Sequence, residues 1–366
     1  MPTRARSWWR YASLLFVATA LCASVARGQL NGSYTIGSGG SYSTFAAAVT
    51  ALTTRGVSGP VTFSVLSGTY SETFTLPAIT GASATNTITF DGGTGNASTR
   101  IITYSVSASY GSVITLDGAD YVKFKNLTIR STNSSYGYCF LFTNSADYNE
   151  ISNCVIEMPA TTTSTYHIGI VASTTTSYSS TGDFGNYNLI KDNTITSGYY
   201  GIRWNGSGSS DYTTVVGNQF IGNTVTGWYY YGLYLYYMGG AMVCSKNTSI
   251  QRSTGTFTTT GGYAFYIYYP NNGPIISYNY GWSCYAPLYI YRINYGYASS
   301  SNRGKVINNM GIADGTSTVY GLYCSYPRYS DIAYNSIRTK NTYSAAYGIY
   351  QRSEEHTSEL QSRQSI

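Results

Sequence analysis

Two short phrases alternate along most of this chain, and a fixed alternation of that kind confines it to a repeating solenoid. The first phrase sets asparagine between apolar residues. It reads Phe124-Lys125-Asn126-Leu127-Thr128-Ile129 and Ile151-Ser152-Asn153-Cys154-Val155-Ile156. It recurs around Ile190-Asn193-Ile195, Val215-Asn218-Phe220, Asn247-Ile250, Ile276-Asn279, Ile307-Asn309-Ile312 and Ile332-Asn335-Ile337. These asparagines stand 27, 40, 25, 29, 32, 30 and 26 residues apart. Asn126, Asn153 and Asn309 fall one place early relative to the preceding apolar residue, which predicts a neighbouring column for all three. The second phrase is a residue that is usually small, an apolar one, a variable one and often a further apolar one. Gly169-Ile170-Val171-Ala172, Gly201-Ile202-Arg203-Trp204, Gly232-Leu233-Tyr234-Leu235 and Ala264-Phe265-Tyr266-Ile267 show it. Pro287-Leu288-Tyr289-Ile290, Gly321-Leu322-Tyr323-Cys324 and Gly348-Ile349-Tyr350 continue it, with starts 32, 31, 32, 23, 34 and 27 residues apart.

Period-2 alternation sends one set of side chains inward and the other outward, and strands of successive turns lie about 4.8 Å apart, so like stacks on like. Asparagine at a repeated corner builds an amide ladder and tolerates left-handed backbone angles. Glycine serves the same corners. A β-propeller also repeats, but its blades need four strands and about 40–45 residues with their own signature, and none is present. The predicted fold is all-β: a right-handed parallel β-helix with two or more short strands per turn and an N-terminal capping helix. Ser43 is placed to cap a helix through Phe45, Val49 and Leu52, with Gly56 just past its end. That helix would cover the open first turn, and Val61–Val65 would be the first alternating strand.

Four segments are expected. Residues 1–28 read as a secretory signal, with Arg4, Arg6 and Arg10 before a short apolar stretch and Ala26-Arg27-Gly28 at the cut. Residues 29–58 form the cap, and 59–351 the solenoid. Residues 352–366 break from the Tyr- and Gly-rich text, and Arg352–Ser362 resembles the translation of a sequencing adapter. They are read as an artefactual tail, with a solenoid that continues past Gln351. Residues 29–351 hold 15 cations and 12 acids with no basic run, so no nucleic-acid partner is expected. No later stretch approaches a membrane span, and the localisation expected is secreted or cell-surface. Five cysteines remain in that body, an odd number lying mostly among apolar residues, which favours small buried hydrophobes over disulfides.

The opening of the solenoid resembles that of exported bacterial right-handed parallel β-helix proteins of pectin-lyase-like type, of the kind that often end in a C-terminal sorting domain. Gly59-Pro60-Val61-Thr62-Phe63, Ser67-Gly68-Thr69-Tyr70, Asn86-Thr87-Ile88-Thr89-Phe90 and Leu116-Asp117-Gly118-Ala119-Asp120-Tyr121 carry the likeness. It implies export and a β-helix but not one activity, because that fold class hosts lyases, hydrolases, adhesins and inert stalks.

The variable position of the second phrase should face outward. Down the stack it is Val171, Arg203, Tyr234, Tyr266, Tyr289, Tyr323 and Tyr350, and two residues on stand Tyr236, Tyr268 and Tyr291. An exposed tyrosine stripe follows, flanked by the loops 173–185 and 292–305. Tyrosine joins an apolar ring to a polar hydroxyl, which suits a polysaccharide or cell-surface glycan, although stacked aromatics also stabilise sheets on their own. Catalysis has thinner support, and no catalytic residue, metal or cofactor is assigned. His167 is the only histidine of the body and reads as a strand-edge residue. Glycoside hydrolysis needs two carboxylates at a defined separation, and the acids of the body are sparse, with no two adjacent in sequence. The resemblance implies lyases that use acids for calcium and a basic residue to take a proton, for which Asp183, Asp192, Asp211 and Arg203 are candidates. The three functions in play are a glycan-binding or adhesive protein, a polysaccharide lyase or hydrolase, and a non-binding spacer.

Overall fold

The computed structural model describes residues 28–182, 184–206, 215–252, 261–295, 301–341 and 345–352. Most of the signal-like segment, the tail beyond Arg352, Asp183 and Asp211 lie outside the described residues. The described chain winds through about ten turns of a parallel β-solenoid. Each turn contributes one strand to each of three parallel sheets, of 11, 10 and 10 strands. Sheet A runs from Leu30–Ile36 to Ser330–Ala333, sheet B from Gly68–Ser71 to Ser336–Asn341, and sheet C from Phe74–Pro77 to Ala346–Arg352. One turn, for instance, is Leu189–Lys191 in A, Thr194–Thr196 in B and Tyr200–Asn205 in C.

The asparagine phrase therefore holds two strands, not one, and asparagine marks the bend between them. At the A–B corner the amides of Asn193, Asn223, Asn247, Asn279, Asn309 and Asn335 form one continuous ladder. Each Nδ2 donates to the next Oδ1 at 2.9–3.0 Å. The following turn's Oδ1 also accepts the backbone N–H. The position before it, and its equivalent in the two preceding turns, is left-handed in eight successive turns, with φ between 52° and 70° at Asn126, Asn153, Asp192, Gly222, Lys246, Tyr278, Asn308 and Tyr334. Asn126 and Asn153 thus do occupy a neighbouring column, whereas Asn309 belongs to the ladder itself. Asn218 is a second correction: it stands at the opposite corner, ahead of the sheet A strand. There Asn149 and Asn188 donate their backbone N–H groups to the Oδ1 of Asn188 and Asn218, at 2.9 and 3.0 Å.

Inside, like does stack on like. Phe63, Phe90 and Phe124 lie in three consecutive sheet A strands with ring centroids 5.0 and 4.9 Å apart. Ile170, Ile202, Leu233, Phe265, Leu288 and Leu322 fill one fully buried column of sheet C. Helix α1, Phe45–Arg55, closes the first turn by burying Phe45, Ala48, Val49 and Leu52, with Phe45 stacked on Phe74 at 5.4 Å. Its N-cap is Thr44 rather than Ser43: Thr44 Oγ1 accepts from Ala47 N, and the Glu72 carboxylate accepts from the N–H groups of Phe45 and Ala46. The first strand is Leu30–Ile36, which pairs in parallel with Val57–Val65, so the alternation begins earlier than Val61. Cys139, Cys154, Cys244 and Cys324 are buried and Cys284 is half-buried, all with free thiols. Burial pushes the four buried thiols up to about 12.

Candidate functional site

Sheet C is the face on which outward side chains change character along the solenoid. In its early turns the outward positions are Thr75, Thr115, Leu141 and Val171. From the turn of Tyr200 onward they become aromatic. Arg203, Tyr234, Tyr266, Tyr289, Tyr323 and Tyr350 pair strand to strand in one central column. Asn205, Tyr236, Tyr268, Tyr291 and Ser325 pair in a second.

The rings are ordered as a lattice. Tyr234–Tyr266 and Tyr266–Tyr289 are each 4.9 Å apart and 3° from parallel, Tyr289–Tyr323 is 4.3 Å at 4°, and Tyr323–Tyr350 is 5.1 Å at 13°. Tyr236–Tyr268 and Tyr268–Tyr291 repeat the geometry at 4.8 and 4.6 Å. A third column, Tyr200, Tyr231 and Tyr263, with Tyr320 and Tyr347 further on, lies on the other side of the central one. Its rings meet the central rings edge to face, as Tyr231 meets Tyr234 at 78° and Tyr320 meets Tyr323 at 89°. The sequence carried a signal for this column: tyrosine stands directly before the small residue of the second phrase at Tyr200, Tyr231, Tyr263, Tyr320 and Tyr347.

Two expectations need revision. The stripe is half-buried rather than freely exposed, because neighbouring rings in and between columns cover one another. Arg203, expected as an outward binding group, is only 8% exposed. Its guanidinium lies 4.4 Å from the Tyr234 centroid and 4.8 Å from those of Tyr200 and Tyr178, and its Nε donates to Asn205 Oδ1 at 3.2 Å. Tyr178 comes from the loop after Ala172, which folds over this end of the face. Arg203 thus closes the central column with a delocalised cation, an arrangement that cation–π attraction favours when the charge is desolvated. Arg292 does the same at the edge of the face, 5.3 Å from both the Tyr269 and Tyr326 centroids and 4.4 Å from that of Tyr295.

Burial pushes the phenols up: Tyr234 and Tyr268 to about 12, Tyr266 and Tyr289 further. These four phenols are therefore neutral across the ordinary pH range, and each keeps an O–H donor. The acids do not join them. Asp192 sits at the A–B corner, paired with Lys191 at 3.6 Å, and Arg203 is on sheet C, so these two candidates are not brought together. His167 is fully buried, with Thr162 Oγ1 2.5 Å from its Nδ1 and the Asn133 carbonyl 2.8 Å from its Nε2, which leaves no ring nitrogen for a substrate. An open depression of about 390 Å³ bordering sheet B holds the ion pair of Arg130 and Glu157, 2.6 Å apart, among Ser131, Thr132, Thr196 and Ser197. Among the described residues, no group of three or more His, Cys, Asp or Glu is placed to hold a metal ion. No helix among them is long and apolar enough to cross a membrane.

Three strands per turn, a helix over the first turn and a core of stacked apolar residues give this chain the pectin-lyase-like parallel β-helix fold. Solved structures are similar to it. The pectate lyase Pel9A matches with a TM-score of 0.51 at 12% identity, over 85% of this chain and 81% of that one. A rhamnogalacturonan lyase matches at 0.48 and 12%, over 85% and 87%. A pectin methylesterase from Aspergillus niger matches at 0.39 and 16%, over 92% of each chain. No family model matches the sequence, and no curated protein matches it.

Proposed function

We propose that the protein binds polysaccharide along the tyrosine face of sheet C. The observation that carries this reading is the in-register lattice of tyrosines, which repeats one phenol group per turn along its central column from Tyr234 to Tyr350. A chain of hydroxyl-rich sugar units is itself a linear repeat. Neutral phenols that both donate and accept match it without a charge to desolvate. Because the ring faces are partly spent on one another, contact with sugar falls to ring edges and hydroxyls rather than to flat stacking. The fold supports a polysaccharide role in the same direction, since Pel9A, a solved structure that shares it, is named as a pectate lyase. An exported protein of the cell exterior would meet such ligands.

A second reading, a polysaccharide lyase or hydrolase, draws on the fold shared with Pel9A. The Arg130–Glu157 depression is where a carboxylate and a cation stand together for it. One experiment separates the readings: a glycan-array and product-release screen of the full chain beside two triple variants. Tyr234→Phe/Tyr266→Phe/Tyr289→Phe keeps the rings and removes the hydroxyls, whereas the corresponding alanine variant removes both. Glycan binding that is weakened in the phenylalanine variant and absent in the folded alanine variant, with no product released, is the expected result. Binding that survives both variants removes the tyrosine face from consideration, and product release by the unaltered chain moves the function to the enzyme.

A further inference from the structure

We propose that the tyrosine face is also a site of oxidative cross-linking, in which one-electron oxidation couples Tyr289 to Tyr323 and ties two consecutive turns together as dityrosine. This stands on ring geometry alone and does not depend on glycan binding. Strands of neighbouring turns are about 4.8 Å apart. Rings carried straight out from them keep that separation, as Tyr234, Tyr266 and Tyr289 do at 4.9 Å. Tyr289 and Tyr323 are 4.3 Å apart and 4° from parallel, so these two rings lean together by more than the backbone requires. Two parallel rings on paired strand positions are related largely by a translation. Each ring carbon then lies near its own counterpart, and the carbons ortho to the two hydroxyls meet at about the ring separation.

The surroundings favour coupling over interception. Thiols quench tyrosyl radicals, but Cys324, next in sequence to Tyr323, points inward and is fully buried. Oxidising equivalents have a route in, because Tyr347 is 42% exposed and touches Tyr320 at 5.1 Å and Tyr350 at 5.5 Å, and these in turn touch Tyr323. Each phenol loses one electron to the oxidant and its O–H proton to water. The two radicals join through a new carbon–carbon bond between ortho positions, and the hydrogens on the joined carbons move to the oxygens, restoring both phenols. Two electrons and two protons leave in all. Hydrogen peroxide used by a haem peroxidase takes them up and is reduced to water.

The test exposes the dilute full chain to a haem peroxidase with hydrogen peroxide, then maps linked peptides by mass spectrometry and follows dityrosine fluorescence. The expected product is a Tyr289–Tyr323 linked peptide lacking two hydrogens, formed within one molecule, at a yield independent of protein concentration and above that of any other tyrosine pair. Tyr289→Phe, which keeps the stacked ring, should abolish that peptide while the circular dichroism spectrum stays that of the parent. Prior unfolding in urea should erase the preference. Cross-links that form only between molecules, or a preference for solvent tyrosines such as Tyr334 (84% exposed) and Tyr278, would overturn the proposal. So would an uncoupled Tyr289–Tyr323 pair after those solvent tyrosines have been oxidised.

Discussion

Replacing Asn247 with alanine should destabilise the solenoid far more than the same change at Asn335, although both belong to one ladder. Asn247 is 1% exposed. Its Oδ1 accepts from the backbone N–H of Asn223 at 2.9 Å and from Asn223 Nδ2 at 3.0 Å. Its Nδ2 donates to the Phe220 carbonyl at 2.8 Å and to Asn279 Oδ1 at 3.0 Å. Alanine leaves two donor hydrogens of Asn223 unpaired where water does not reach. Asn223 Nδ2 keeps its other bond, to the Ile190 carbonyl, and Asn279 Oδ1 keeps the N–H of residue 247. A buried group left without its partner costs about 1–3 kcal/mol, so two of them cost about 2–6 kcal/mol.

Asn335 makes the same kinds of bond, accepting from Asn309 N and Nδ2 at 3.0 Å each and donating to the Val306 carbonyl at 2.8 Å. It is half-buried in the last described turns, so water can replace what is lost. The cost there falls to the net worth of the bonds, about 0.5–1.5 kcal/mol apiece. Solenoids need not unfold all at once, so the assay pairs urea denaturation followed by circular dichroism with native-state hydrogen exchange. Protection at Asn223 should collapse in the Asn247→Ala variant. A loss below about 1 kcal/mol at Asn247, or equal losses at the two sites, would refute the claim that unpaired buried donors set the cost.

Two further outcomes are expected. Burial holds His167 below the ordinary histidine range against the opposing Asn133 carbonyl, so the unfolded chain binds a proton there more readily than the folded one. The associated stability is complete above about pH 6.5 and is lost as pH falls from that value toward the lowered folded one. The urea midpoint should drop between neutral pH and about pH 5, and His167→Gln should flatten that slope; an unchanged slope would assign it to other groups. Gly232 is buried in sheet C, and a methyl group there would lie 1.9 Å from Ser249 Oγ and 2.6 Å from the Ala264 carbonyl. Gly232→Ala should therefore cost about 1–3 kcal/mol by overpacking, read from the same denaturation curves, and a neutral substitution would mean that the wall yields freely.

How much of this was legible in the sequence depended on whether a residue meets its own kind. Gly169, Gly201, Gly232, Ala264, Pro287, Gly321 and Gly348 open the second phrase in the text and stand at equivalent places in sheet C, because in a solenoid the neighbour across the turn is the next copy of the phrase. The order and outward direction of the central tyrosine column were readable for the same reason. Corners were harder. Asn218 and Asn223 flank the same three-residue strand, and only the ladders on either side of it tell them apart. The N-cap was missed because Glu72, which lies 26 and 27 residues away, completes it from outside the helix.

The half-burial of the tyrosines and the enclosure of Arg203 share a further cause. Alternation reports which way a side chain leaves the sheet, and on most antiparallel faces outward means wet. Here each outward tyrosine of the two columns has a stacked ring neighbour in at least one adjacent turn, with a further column meeting many of them edge-on. Tyr178 adds a ring from a loop with no place in the repeat. Direction is a property of one strand, whereas exposure is a property of what the adjacent turns present to it. A column of threonines would have left the face open. Tyrosine, being long enough to reach its own copy one turn away, builds a second, ordered layer on top of the sheet, and any partner of this protein on that side meets that layer before it meets a strand.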